Sequence, residues 1–405
     1  MKQIEKRSLD ATLRQAMLSA LAIILFLTQP ARAIQLSDSS QISLLTVAPG
    51  SELYSAFGHS GIRIHDFKQD IDVVFNYGTF DFNQPNFYVN FVRGRLLYML
   101  DVGSFSDFMQ MYEYEERSVT EDVLNLTNEE KQHIFFFLVD NAKPANRNYR
   151  YEFFFDNCAT RIRDVFEQEL KQKIHFNYAG FDSTKSLRQM LDLYVSNSPW
   201  VQLGFYLILG LPCDVNATPR IQAFLPDFLQ KTFKQAVLNN GSNSSPLVRQ
   251  SHVLLQYPPA AAPDSLFTPV FCILLLLATA IVLSAIEYRL KKSATIFDFL
   301  LFFSAGLLGV FFLCMWAFTE HYSVPKNLNV LWAMPLFLPL SFLLFSKKMA
   351  TFNIKWLHIS AVWLLGLLIL HFVLPQPFHI AVILLIVVLA YRAWFSAYLL
   401  QKNKQ

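Results

Sequence analysis

The chain has 405 residues, 53% of them hydrophobic and only 16% charged, with 39 phenylalanines, a balance too apolar for a soluble protein of this length. The formal net charge is only +3 and no basic tract occurs, which excludes a nucleic-acid-binding protein. What remains is a membrane protein carrying a globular part.

The N-terminus is basic at Lys2, Lys6, Arg7 and Arg14, apolar over residues 16–27, and then reads Pro30-Ala31-Arg32-Ala33. A charged head, a short apolar run and a small-x-small ending predict a secretory signal peptide over residues 1–33, with an uncleaved anchor as the alternative. Either one exports the segment beyond Ala33. Residues 34–251 read as an α+β domain. Short β-rich runs at 44–47, 61–65, 72–80 and 96–102 predict a small antiparallel sheet. Thr127 and Glu130 form a capping box that opens a helix to about Asn141, with Ile134, Phe137 and Leu138 on one side. A second helix is predicted from near Asp156, carrying Ile162, Val165, Phe166 and Leu170 at helical spacing. The run Asn239-Asn240-Gly241-Ser242-Asn243-Ser244-Ser245-Pro246 is linker-like by composition, and residues 252–265 are expected to connect the domain to the membrane.

Five apolar blocks come next, at 266–287, 297–318, 328–345, 356–374 and 378–400. Each is near the roughly twenty residues a helix needs to cross a bilayer, so residues 266–405 predict a bundle of five transmembrane helices. Alternate connections are basic, at Arg289, Lys291 and Lys292, at Lys347, Lys348 and Lys355, and at Lys402 and Lys404. This puts the C-terminus in the cytoplasm and the 34–251 domain outside. Glu287 lies at the cytoplasmic end of a span and Arg392 near enough to one to snorkel, so neither charge demands a function. His321, His371 and His379 have no accompanying carboxylate cluster or HExxH spacing, so no metal is expected.

Of the four cysteines, Cys272 and Cys314 lie in apolar runs and read as packing residues. Cys158 stands in a polar frame, Asp156-Asn157-Cys158-Ala159-Thr160-Arg161, and is the candidate nucleophile; in an exported compartment, a disulfide to Cys213 is the structural alternative. A thiol at a helix start beside Arg161 is expected to have a lowered pKa, while Arg163 is equally a partner for Asp164 or Glu167. Asn157 and the Cys158 backbone N–H are candidate oxyanion donors. His59, in Phe57-Gly58-His59-Ser60-Gly61, is the candidate general base. If residues 65–71 make a hairpin turn, a register pairing Gly61 with Asn76 sets Asn76 beside His59 as the orienting third residue, and a slip by one residue removes it. Arg93, Arg95 and Arg117 are candidates for holding a lipid phosphate, or for salt bridges with Glu115, Glu116 or Glu121. The phenylalanine runs at 135–137 and 153–155 suit either an acyl groove or a plain core.

A histidine-bearing strand, a polar residue on the next strand and a cysteine opening a later helix is an order similar to the circularly permuted branch of the NlpC-type, papain-like superfamily. The lecithin-retinol acyltransferase group belongs there. More closely, Phe57-Gly58-His59-Ser60, Phe75-Asn76-Tyr77-Gly78-Thr79-Phe80-Asp81-Phe82, Arg93-Gly94, Glu116-Arg117, Leu124-Asn125-Leu126-Thr127 and Tyr149-Arg150-Tyr151 through Asp156-Asn157-Cys158 to Asp164 resemble the periplasmic domain of the Lnb family of bacterial lipoprotein N-acyltransferases. The resemblance spans about residues 40–230, and the trailing membrane bundle fits it. Ala159 departs from it, at a position where a hydroxyl residue is expected.

The resemblance implies a permuted papain-like fold in the bacterial inner membrane. It also implies transfer of an acyl chain from a glycerolipid, either a phospholipid or a diacylglyceryl lipid, through a Cys158 thioester to the amine of an N-terminal diacylglyceryl-cysteine lipoprotein, without a cofactor. The residues alone leave two other readings. One is a membrane-anchored thiol hydrolase, a cell-wall peptidase or phospholipase, using the same Cys158 and His59. The other is a non-catalytic scaffold bridged from Cys158 to Cys213.

Overall fold

The computed structural model describes residues 34–241, 243–259 and 266–404; the predicted signal peptide lies outside them. Seven strands form one antiparallel sheet: β1 (Gln41–Val47), β2 (His59–Asp66), β3 (Ile71–Thr79), β4 (Leu97–Ser104), β5 (Val119–Leu124), β6 (Asn148–Arg150) and β10 (Val248–Leu255). Across the sheet their order is β10-β5-β1-β2-β3-β4-β6. The first helices are α1 (Phe87–Val92), α2 (Phe105–Tyr114), α3 (Asn128–Asn141) and α4 (Cys158–Leu170). The central strand β1 is buried on both faces, because period-two alternation sends Ile42 and Leu44 to one side and Leu45 and Val47 to the other. Ile42 and Leu44 pack with Ile62, Phe75, Ile162 and Phe166 of β2, β3 and α4. Leu45 and Val47 pack with Phe108 and Tyr112 of α2. The sheet is therefore covered by α3 and α4 on one face and by α2 on the other.

Four further helices come after α4: α5 (Leu187–Val195), α6 (Pro199–Ile208), α7 (Pro219–Gln222) and α8 (Pro226–Gln235). The asparagine- and serine-rich run after them is not a linker. It is a hairpin, β8 (Val237–Asn240) with β9 (Asn243–Pro246), joined by β7 (Ile174–His175). Gly241 supplies the positive φ its turn requires. Nor does the connection begin at residue 252, since His252 and Val253 still pair with Glu121 and Thr120 of β5, and Ser118 holds both the N–H and the carbonyl of Tyr257.

Among the described residues four helices are long and apolar enough to cross a membrane, rather than the five expected. They contain α9 (Pro269–Leu290), α10 (Thr295–Phe318), α12 (Ala350–Leu370) and α13 (Ile380–Lys402). The third apolar block is broken into a 3₁₀ turn at Leu328–Leu331 and the short α11 (Phe337–Leu343). Pro335 lies in the break, where it lacks an N–H and disfavours helix at the preceding residue. The broken segment still runs antiparallel to α10 along its length. A Cβ on Gly309 would fall 1.7 Å from the Ala333 carbonyl oxygen and one on Gly306 2.1 Å from the Leu338 nitrogen, while Phe342 and Phe345 meet Phe299 near the start of α10.

Arg392 does not snorkel. It is fully buried, with Nε donating to Asp298 Oδ1 at 2.7 Å and Nη1 to Glu287 Oε2 at 2.7 Å. One cation thus ties α9, α10 and α13 together at the end of the bundle remote from the sheet.

The sheet domain is seated on the other end. The terminal carbonyls of α6 accept from the bundle: Asn327 Nδ2 donates to Leu207 at 2.6 Å and Asn329 Nδ2 to Tyr206 at 2.8 Å. Glu320, two residues past α10, pairs with Arg95 and with Arg150.

Candidate active site

His59 opens β2 and Gly78 lies near the end of β3, so both reach the same end of the sheet. The β2–β3 register pairs Ile62 with Phe75. Carried on by one residue, it sets Gly61 opposite Asn76, and a Cβ on Gly61 would lie 3.1 Å from Asn76 Oδ1. His59 Nε2 lies 3.3 Å from the same oxygen. A carbonyl oxygen only accepts, so this contact assigns the proton to Nε2 and leaves Nδ1 as the basic nitrogen. Tyr112 of α2 lies alongside, with ring centroids 6.5 Å apart.

Cys158 is the first residue of α4 and is 8% exposed. Asn157 caps the helix: its Oδ1 accepts from the N–H groups of Ala159 and Thr160, and its Nδ2 donates to the carbonyls of Phe153 and Phe224. Asn157 is therefore occupied as a cap, with both amide functions satisfied, rather than free to donate to an oxyanion. Arg161 is likewise engaged. It pairs with Asp156, Nη2 to Oδ2 at 2.8 Å, and lies over the Tyr149 ring at 3.8 Å, lining a cleft of about 430 Å³ with Tyr77 and Phe155.

The thiol sits beside the end of β3, at the rim of the sheet. A Cβ at Gly78 would be 3.6 Å from Cys158 Cβ, 3.6 Å from Tyr151 Cε2 and 4.0 Å from the Tyr149 hydroxyl. Gly78 has φ +91° and occupies an irregularity between Tyr77 and Thr79, a backbone state that glycine adopts without strain and that ends the regular pairing there. The Ser60, Cys158 and Ala159 backbone N–H groups all favour the thiolate, yet burial outweighs them and raises the Cys158 pKa. This reverses the expectation of a lowered value. Burial also pushes His59 down to about 4, with the Arg117 charge acting in the same direction. The resting pair is neutral, and among the described residues no hydrogen bond joins Cys158 to His59.

These directions set the pH dependence. The alkylation rate of Cys158 by iodoacetamide should climb through neutral pH and on beyond about pH 9, without the plateau near pH 5–7 that an imidazolium–thiolate pair produces; such a plateau would contradict the neutral pair. Unfolding frees His59 to take up a proton near its ordinary value, so acidification from about pH 6 to about pH 4 destabilises the folded domain.

Arg117 is buried, donating from Nε to the Ala48 carbonyl at 2.9 Å and from Nη1 to Glu115 at 2.8 Å. It acts on the His59 field rather than on a surface. Arg93 is exposed and lies elsewhere, at the end of α1. Both Cys158 and Cys213 are free thiols, so the bridged scaffold is not what the structure contains. Tyr149 is the residue that single-position reasoning missed. Its hydroxyl is buried without a hydrogen-bond partner among the described residues, and its place in the run Tyr149-Arg150-Tyr151 was the available signal.

Fold and site thus define a membrane protein in which an antiparallel-sheet domain stands on a helical bundle and carries a buried thiol at the sheet's rim. The profile of the Lnb N-terminal periplasmic domain matches residues 28–191, and that of the Lnb transmembrane domain matches residues 261–404. The chain belongs to the Lnb family, and its sheet domain is the periplasmic part. No curated protein and no solved structure shows significant similarity to it.

Proposed function

We propose that this protein is a bacterial inner-membrane lipoprotein N-acyltransferase, with a permuted papain-like periplasmic domain and a cytoplasmic C-terminus. The observation that carries the reading is a free, helix-opening thiol beside Gly78, at the end of the sheet where His59 is held by Asn76. His59 Nδ1 takes the Cys158 proton, and the sulfur attacks a glycerolipid ester carbonyl. The C–O bond breaks, a thioester forms, and the departing lysolipid alcohol takes the proton from His59. A lipoprotein α-amine then attacks the thioester; an amide forms, the C–S bond breaks, and the amine's proton returns through His59 to the sulfur. Asn76 orients the imidazole. The Ser60 and Cys158 N–H groups, with the Tyr149 hydroxyl, which has no partner among the described residues, supply donors for the oxyanion.

The test is the acceptor. Full-length protein in phospholipid nanodiscs, given a diacylglyceryl-cysteine lipopeptide, should yield a lipopeptide heavier by one acyl chain on its amine by mass spectrometry. Release of free fatty acid with the amine left unmodified would overturn transfer in favour of the thiol hydrolase.

A further inference from the structure

The sheet domain carries an apolar surface that its own fold leaves uncovered. Tyr88, Val89, Phe91 and Val92 of α1 are all exposed, Tyr88 by 76%, and so is Phe82 just before them. Its place is fixed against the bundle. The Glu320 N–H donates to the Arg93 carbonyl at 2.8 Å, and His321 Nε2 lies 3.1 Å from the carbonyls of Phe91 and Val92. Glu320 and His321 lie just past the outward end of α10, whose last residue, Phe318, is 71% exposed. At about 1.5 Å per helical residue, α1 is therefore held within a few ångströms of the level where a spanning helix leaves the hydrocarbon. Arg93 is exposed at the end of α1, where a cation at that level would meet lipid phosphates. An apolar surface at this level faces lipid rather than water.

From that surface a line of rings leads to the thiol. Phe82 meets Phe87 at 4.9 Å, Phe87 meets Phe80 at 5.8 Å, and Phe80 meets Tyr98 at 5.3 Å. Tyr98 stacks on Tyr151 at 4.4 Å, and Tyr151 and Cys158 approach the same point on Gly78. We infer that α1 and Phe82 dip into the outer leaflet, and that an acyl chain leaves the bilayer there and lies along Phe80, Tyr98 and Tyr151 to reach Cys158. The route rests on the acyl-transfer reading above; the docking of α1 in lipid does not.

Two measurements on the full chain in phosphatidylethanolamine–phosphatidylglycerol nanodiscs separate these. In a background with all four native cysteines replaced, bimane on Tyr88→Cys should be quenched several-fold more strongly by lipids bearing an acyl-chain nitroxide than bimane on Lys68→Cys, in the turn at the far end of β3. Equal quenching at the two sites overturns the docking. With the native cysteines present, Tyr88→Ser/Val89→Ser/Phe91→Ser should lower the rate of Cys158 acylation by bilayer phospholipid, relative to a water-soluble short-chain ester, by about tenfold or more. An unchanged ratio overturns the route. A thiol in the unmodified protein that reacts with neither ester overturns the acyl-transfer reading instead, and the quenching result still decides the docking.

Discussion

On the proposed mechanism, Cys158→Ala should abolish lipoprotein N-acylation, lowering it on the order of 10⁴-fold or more, because without sulfur no thioester forms. His59→Ala should lower turnover by about 10²–10⁴-fold, the range for a lost general base. Mass spectrometry of lipoprotein N-termini, in cells whose only N-acyltransferase is the variant, reads both. Undiminished N-acylation in Cys158→Ala would sink the thioester mechanism. Both side chains are small against the core they touch, and the Asn157 cap that holds the start of α4 is retained in each variant, so the loss should occur in a protein that still folds. Asn76→Ala should have the smaller effect, since Asn76 acts on the reaction only through the orientation of His59.

Arg392→Leu should be the most destabilising single change in the bundle, by about 3–5 kcal/mol, the usual cost of removing one partner from a buried ion pair. It strands Asp298 and Glu287, both almost wholly buried, against one another. Adding Asp298→Asn and Glu287→Gln to the same chain should recover a large part of the loss, because the stranded charges are then gone. Thermal unfolding in detergent checks both variants. A single substitution that melts like the unmodified protein would mean that the three side chains are not the lock they form in the structure.

Much of the candidate site's geometry was legible because it rests on short-range rules. The Thr127–Glu130 capping box is present. The hairpin between residues 65 and 71 aligns β2 with β3 in the register that sets Asn76 beside His59. The illegible parts depend on distance or on burial. Nothing near Arg392 in sequence announces carboxylates 94 and 105 positions away, so a cation near a helix end reads as snorkelling. The direction of the Cys158 shift turns on desolvation, which local motifs do not display; its N-terminal helix position argues for a lowered pKa, and burial wins. Composition misled at residues 239–246, where asparagine and serine flanking Gly241 serve a tight hairpin as readily as a linker. Hydropathy over residues 328–345 counted apolar residues correctly but could not weigh Pro335, nor Asn327 and Asn329 turning outward to grip α6.

That grip determines who must travel. Asn327, Asn329 and Gln376 hold the carbonyls of Tyr206, Leu207, Ile208 and Leu209 at and just past the end of α6, and Gly210 N–H donates to the Ser323 carbonyl at 2.8 Å. Letting go would break bonds inside a seam where Asn327, Asn329 and Gln376 are almost wholly buried, so separation means giving up a packed, fully paired contact. The bundle is thus a ruler rather than a tether: it sets the thiol at one height above the bilayer and one bearing around it. On the acyl-transfer proposal, a lipoprotein must therefore bring its N-terminus to that fixed point, so that diffusion in the plane of the membrane, not a swing of the domain, would carry acceptor to thiol.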